Sequence, residues 1–260
     1  MDLGLAGKAC IVTGGSRGIG YAVSERLIAE GARVLLVARD ADRLATAVAT
    51  LGCAGLALDV RDVDAGERAV HTCIEQFGAV DVLINSAGSA RAVPLDALSE
   101  ADWAEQWEAH VLGAMRMMRA AAPVMADAGW GRIVNVSSSS GKRPSTSNVA
   151  YAVAKAGQLS LSRAYADAYA GRGVLVNAVA PGPVASELWL EDGGLADQAA
   201  AASGAGREAV LAAAAAKIPL GRFGTPQEIA DVIVFLCSER AANVAGAAWS
   251  VDGGSVPSIL

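Results

Sequence analysis

The sequence predicts an α/β fold, a doubly wound parallel sheet of seven strands in one domain, and three observations carry that prediction. Short β-branched runs recur along the chain, helical patterns separate them, and the alternation persists from Lys8 to about Ala180. Strands buried on both faces read as continuous apolar runs, and a helix between successive strands is what a right-handed parallel crossover requires. The runs KACIVT, ARVLLVA, AGLAL, DVLIN, GRIVNVS and VLVNAVA supply six strands, and AAWSV near the end supplies the seventh. Helices are expected to begin near Gly18, Asp40, Val63, Ser99, Ala150 and Pro226, where cap residues or a first-turn proline precede apolar residues at helical spacing.

The 260 residues are read as a single domain, 1–260, a length at which about three quarters of the unfolded surface is buried. The hydrophobic content of 53% suits a large core, yet no run approaches the roughly 20 apolar residues that span a bilayer. The opening MDLGLAGKACIVTGG lacks the basic, apolar and small-residue regions of a secretory signal, so a soluble, cytoplasmic protein is expected. Cys10, Cys53, Cys73 and Cys237 lack paired spacing and read as reduced thiols, with no metal site. A formal charge of -6 argues against a nucleic-acid surface, which needs clustered Lys and Arg.

The segment 187–217, with ELWLEDGG near its start and AVLAAAAAK at its end, breaks the strand and helix rhythm. It follows a strand's C-terminal end, where folds of this class bind ligands, and is read as a lid over a substrate site. Its Leu188, Trp189 and Leu190 suggest a partly apolar pocket.

TGGSRGIG, Thr13 to Gly20, lies between the first strand and the first helix. Gly14, Gly18 and Gly20 allow a tight turn and close backbone approach to a pyrophosphate at a helix N-terminus. The spacing is GxxxGxG and differs from the general GxGxxG fingerprint. Tyr151 and Lys155, four residues apart, share a helix face, so an ammonium there favours the phenolate and moves a tyrosine toward a working range for acid catalysis. His110 falls on an apolar stripe with Trp103, Trp107 and Ala114. A lone histidine on such a stripe is most often a packed core residue. His71, on an outer helix, is assigned no role.

Taken in order, TGGSRGIG, Asp59-Val60, NSAG at Asn85 to Gly88, Ser138, YAVAK at Tyr151 to Lys155, PGPVAS at Pro181 to Ser186, and VDGG resemble the classical short-chain dehydrogenase/reductase family over nearly the whole chain, the 3-oxoacyl-carrier-protein reductases in particular. That resemblance implies a Rossmann-like sheet and hydride transfer between nicotinamide and a ketone or secondary alcohol. It implies Tyr151 as acid/base, Lys155 as its activator, and Ser138, 13 residues before Tyr151, as anchor of the carbonyl oxygen. Ser137, Ser139 and Ser140 are rivals that only spacing sets aside. The cofactor is expected on Gly14, Ser16, Arg17, Gly18, Ile19, Gly20, Asp59, Val60, Asn85, Ala87, Gly88, Tyr151, Lys155, Pro181, Gly182, Val184 and Ser186. Ser86 and Ser186 depart from the Asn and Thr more usual there.

Ala38 stands where an NAD-type relative carries a carboxylate, and Arg39 follows it, so NADP (NADPH) is expected, with Arg17 and Arg39 converging on the 2′-phosphate. The opposing possibility leaves Arg39 solvated or paired with Asp40. His110 replaces the Asn of the family's catalytic tetrad, so it either packs or joins a proton relay. A 3-oxoacyl thioester is the favoured substrate by resemblance; sugars, polyols, steroids and small ketones stay open, as does a non-catalytic NADP-binding regulatory protein. In the resembled family the helices around Trp103 to Met118 and Tyr151 to Tyr169 join subunits, so the resemblance implies a homotetramer; a small-molecule substrate is expected, with no nucleic-acid or membrane partner.

Overall fold

The computed structural model describes residues 2–257. Chain order runs β1 (Ala9–Thr13), α1 (Gly18–Ala29), β2 (Arg33–Ala38), α2 (Ala41–Leu51), β3 (Ala54–Ala57), α3 (Ala65–Phe77), β4 (Val82–Asn85) and α4 (Glu100–Trp107). A π turn over Glu108–Leu112 leads into α5 (Gly113–Asp127), β5 (Gly131–Val136), α6 (Ser139–Lys142), α7 (Val149–Tyr169) and β6 (Val174–Pro181). The chain then forms α8 (Glu187–Leu190), α9 (Leu195–Ser203), α10 (Arg207–Ala216), α11 (Pro226–Cys237) and β7 (Ala248–Val251).

The seven strands lie in the order β3-β2-β1-β4-β5-β6-β7, each pair parallel. This is the expected single-domain Rossmann-like sheet. Side chains alternate between its faces, so Ile11, Leu35, Leu83 and Ile133 pack toward α3 and α5, while Val12, Leu36, Ile84 and Val134 pack toward α1 and α11. Both cores are closed, which is why the strands are mostly apolar.

Local signals set the helix starts. Asp40 accepts from the Arg43 N-H, and Ser99 with Asp102 and Thr225 with Glu228 form reciprocal capping boxes. The third helix begins two residues after Val63, because a turn in which the Ala65 N-H reaches the Asp62 carbonyl precedes it and leaves Val63 in solvent. The stripe of Trp103, Trp107, His110 and Ala114 is broken. His110 and Ala114 are buried, but Trp107 is 43% exposed. The π turn adds a residue between Trp107 and Gly113, shifting the phase that a uniform 3.6 repeat assumes.

Cys10, Cys73 and Cys237 are buried free thiols, and burial pushes Cys73 and Cys237 up to about 12. Among the described residues no helix is long and apolar enough to cross a membrane.

Candidate functional site

The C-terminal rim of the sheet holds a cleft of about 430 Å³, lined by the loops that leave β1, β2, β3, β4, β5 and β6. The topology creates it, since connections from β1 and β4 depart to opposite sides and leave a crevice between them.

The glycine loop forms one wall. Gly14 has φ +67°, and a Cβ on Gly20 would stand 2.3 Å from the Gly14 carbonyl oxygen. Arg17, the residue before α1, makes no side-chain cap, so the positive helix end is turned to the cleft without a capping acceptor. Gly14, Ser16, Arg17, Gly18, Ile19 and Gly20 all line it, as do Arg39, Asp59, Val60, Ala87, Gly88, Pro181, Gly182, Val184 and Ser186.

Asn85 does not. Its Nδ2 donates to Asn135 Oδ1 at 2.8 Å, between strands in register, so the amide points along the sheet and away from the cleft. The strand end is fixed instead by Thr13, whose Oγ1 accepts from the N-H groups of Ser86 and Ala87, both at 3.1 Å.

The guanidiniums also differ from expectation. Arg17 is paired with Glu191, while Arg39 is 71% exposed and pairs loosely with Asp59, 3.7 Å away, rather than with Asp40. Asp59 is held chiefly by Arg61, whose hydrogen bond keeps its carboxyl below the usual range. Glu191 bridges Arg17 to Arg43, 2.9 Å from the latter, and the Arg43 hydrogen bond holds its carboxyl down. Sequence reasoning missed Arg43 and Glu191. A signal for Arg43 was present, because a cation in the first turn of α2 sits where the helix dipole disfavours it and therefore has another use.

At the floor, Ser138, Tyr151, Lys155 and His110 come together. Ser137 is committed elsewhere, its hydroxyl donating to the Lys155 carbonyl at 2.9 Å. Ser138 follows β5, accepts from the Ser140 N-H at 3.1 Å, and lies close enough to Tyr151 to oppose the shift that burial imposes on its phenol. Lys155, on the same face of α7 as Tyr151, donates from Nζ to the Val136 carbonyl at 2.7 Å and to Gln158 Oε1 at 3.1 Å. Burial pushes Lys155 down to about 7. Tyr151 moves upward, the reverse of the expected direction, because burial outweighs its hydrogen bond with Ser138 while Nζ lies 5.7 Å from the ring centre.

His110 stands edge-on to Tyr151, ring centres 5.2 Å apart at 84°. Its Nε2-H donates to the Ser89 carbonyl at 2.8 Å, which fixes the tautomer and leaves Nδ1 buried without a partner among the described residues. Burial, and next the charge of Lys155, hold the imidazole well below its ordinary value. The ring lies against Gly88, where a Cβ would meet His110 Cε1 at 2.1 Å.

The start of the segment 187–217 borders one side of the cleft. Leu188 and Trp189 line it, whereas Leu190 turns outward and is 40% exposed. Trp189 packs edge-on to Phe223 at 5.0 Å, and Gln198 accepts from the Ala92 N-H at 3.0 Å.

Residues 14–255 match the family model described as enoyl-(acyl carrier protein) reductase. The chain is 36% identical over 260 residues to D-threitol dehydrogenase of Mycolicibacterium smegmatis, covering 97% of this chain and 94% of that one. It is likewise 36% identical to a 3-oxoacyl-[acyl-carrier-protein] reductase of Vibrio harveyi, covering 97% and 98%. In structure it resembles L-sorbose reductase from Gluconobacter frateurii, solved with NADPH and L-sorbose, with a TM-score of 0.92 and 33% identity over all of both chains. Agreement of this extent, along the length that builds both sheet and cleft, establishes that the chain belongs to the short-chain dehydrogenase/reductase family.

Proposed function

We propose that the protein is an NADPH-dependent reductase of ketones that also oxidises secondary alcohols. The observation that carries this reading is the grouping of Ser138, Tyr151 and Lys155 in one cleft beside the glycine loop. The cleft fits a phosphorylated dinucleotide: the Gly14 to Gly20 loop is closed so tightly that a side chain at 20 would strike its backbone, Ala38 offers no carboxylate, and three guanidiniums, Arg17, Arg39 and Arg43, face the same rim.

Bound there, the reduced nicotinamide supplies a hydride. The hydroxyls of Ser138 and Tyr151 hold the carbonyl oxygen between them, and Tyr151 gives its proton to that oxygen as negative charge develops. The Lys155 ammonium stabilises the phenolate left behind. Leu188 and Trp189 exclude water from the reacting carbon, so segment 187–217 acts as a lid. NADPH oxidation with a panel of ketones, acyl thioesters and ketoses tests the reading. Turnover that depends on the Tyr151 hydroxyl supports it, and cofactor binding without turnover across the panel refutes it.

His110 serves as a positioning residue in this reading. An imidazole held neutral by burial is a poor proton carrier, but its edge supports the Tyr151 ring and its Nε2-H holds the Ser89 loop. His110→Asn is expected to lower kcat about 10-fold while leaving the shape of the pH profile unchanged. Loss of a titrating limb in that variant would assign the relay role to His110 instead.

Trp107 and Val153, on α4 and α7, are both more than 40% exposed and extend an apolar surface on the two helices expected to join subunits. The protein is proposed to be a homotetramer. Sedimentation at four chain masses is the expected result, and a monomer alone would refute it.

A further inference from the structure

Gln158 is an amide where packing alone would place an apolar side chain. On α7 it follows Tyr151 and Lys155 at the i, i+4, i+7 spacing of one helix face, and it is 1% exposed. A buried amide costs free energy unless it is hydrogen-bonded. The bond that Gln158 makes is to the ammonium: its Oε1 accepts from Lys155 Nζ at 3.1 Å, while the Val136 carbonyl accepts from the same nitrogen at 2.7 Å. The Lys155 backbone is fixed as well, since its carbonyl accepts from the Ser137 hydroxyl at 2.9 Å. An ammonium has three N-H donors. Two are spent on these held acceptors, which leaves one for the cleft that Lys155 lines. Gln158 does not line the cleft, so it can act on the reaction only through Lys155.

We propose that Gln158 is a positioning residue for the reduction: its side-chain carbonyl tethers the Lys155 ammonium, fixes where that charge stands relative to Tyr151, and so sets the pH up to which the protein reduces ketones. The proposal rests on the reductase reading above. Among the described residues, the titratable groups that face the ammonium are Tyr151, its ring centre 5.7 Å from Nζ, and His110, which the π turn brings in and burial keeps neutral. Lys142, on α6, is turned instead to the Ala248 carbonyl and Ser250 Oγ. Asp40, Asp59, Glu105 and Glu187 also line the cleft, yet burial is what moves Lys155. With burial working against the charge, the carbonyls of Val136 and Gln158 are what hold it on. The first belongs to the backbone of β5, so Gln158 is the tether that a substitution can remove.

The test follows kcat/KM for ketone reduction with NADPH from about pH 5.5 to 9.5 in the native protein, Gln158→Met and Gln158→Glu. Gln158→Met keeps the volume and removes the acceptor, so its falling limb is expected about one unit below the native one, a loss of about 10-fold at pH 8 but only about twofold at pH 6. Gln158→Glu sets a carboxylate beside the ammonium and is expected to move the limb upward by about one unit or more. A second readout needs no cofactor. The chain has four lysines, Lys8, Lys142, Lys155 and Lys217, so NMR titration of protein carrying carbon-13 lysine follows Lys155, assigned by the signal missing from Lys155→Met. That signal is expected to titrate lower in Gln158→Met and higher in Gln158→Glu. Circular dichroism checks folding, and should Gln158→Met not fold, Gln158→Glu decides alone, since an upward shift is not what damage produces. Equal loss at every pH with the limb in place, as a merely structural role would give, overturns the inference and leaves the reductase standing. Absence of ketone turnover in the native protein overturns both.

Discussion

Tyr151→Phe is expected to lower kcat for ketone reduction by about 1000-fold while cofactor binding and the far-UV spectrum are retained. The substitution removes one hydroxyl, the group that reaches Ser138 and that would protonate the developing alkoxide. Its structural cost is small, about 1 kcal/mol for a single hydrogen bond, so the thermal midpoint should move by only a few degrees. The native pH profile adds a second check. Burial holds Tyr151 above its ordinary value, so its proton is in place throughout the neutral range. Lys155, pushed down to about 7, carries its charge below that pH and loses it as pH rises through that value. Reduction is therefore expected to weaken above about pH 7, as the phenolate left by proton transfer loses its counter-charge. A profile flat to about pH 9 would show that the ammonium is not what supports the phenolate.

Gly20→Ala should weaken cofactor binding by about 100-fold, or about 3 kcal/mol, and lower the thermal midpoint. The added Cβ would lie 2.3 Å from the Gly14 carbonyl oxygen and 2.8 Å from its carbon. Both are backbone atoms of a loop pinned to β2 through the Gly14 N-H and the Val37 carbonyl at 2.8 Å. Relief requires the loop to open, and an open loop no longer presents the start of α1. Gly171→Ala is the control, because nothing lies within 4 Å of its Cβ position. Calorimetric titration with NADP gives the comparison; equal affinity in the two variants would show that the loop's closure does not determine cofactor binding.

The strands were legible because a sheet covered on both faces favours continuous apolar runs such as VLLVA, with the few buried polar residues, Asn85 and Asn135 among them, hydrogen-bonded. Helix starts were legible for an equally local reason, since Asp40, Ser99 and Thr225 are caps whose partners lie three residues on. What escaped was set by distant partners. Asn85 and Asn135 are 50 residues apart, and only strand pairing shows that the Asn85 amide donates to Asn135. Glu191 gave no local sign that it would reach Arg17 and Arg43. The direction in which Tyr151 shifts depends on burial and on where the Lys155 ammonium is tethered, and sequence spacing reports neither.

The π turn at Glu108–Leu112 makes the length of this chain part of its site. Each helical residue turns the chain by about 100°. Removing one residue there would let the wide turn relax into an ordinary one at little local cost. It would also rotate α4 against α5 by that angle, so that with Met117, Met118 and Ala121 kept in the core, Trp107 would swing away from its place beside Gly157. A one-residue deletion, harmless in most helices that end in a loop, would here separate the surface of α4 from the placement of His110 against Tyr151. At this position the count of residues constrains the protein as firmly as their identity does.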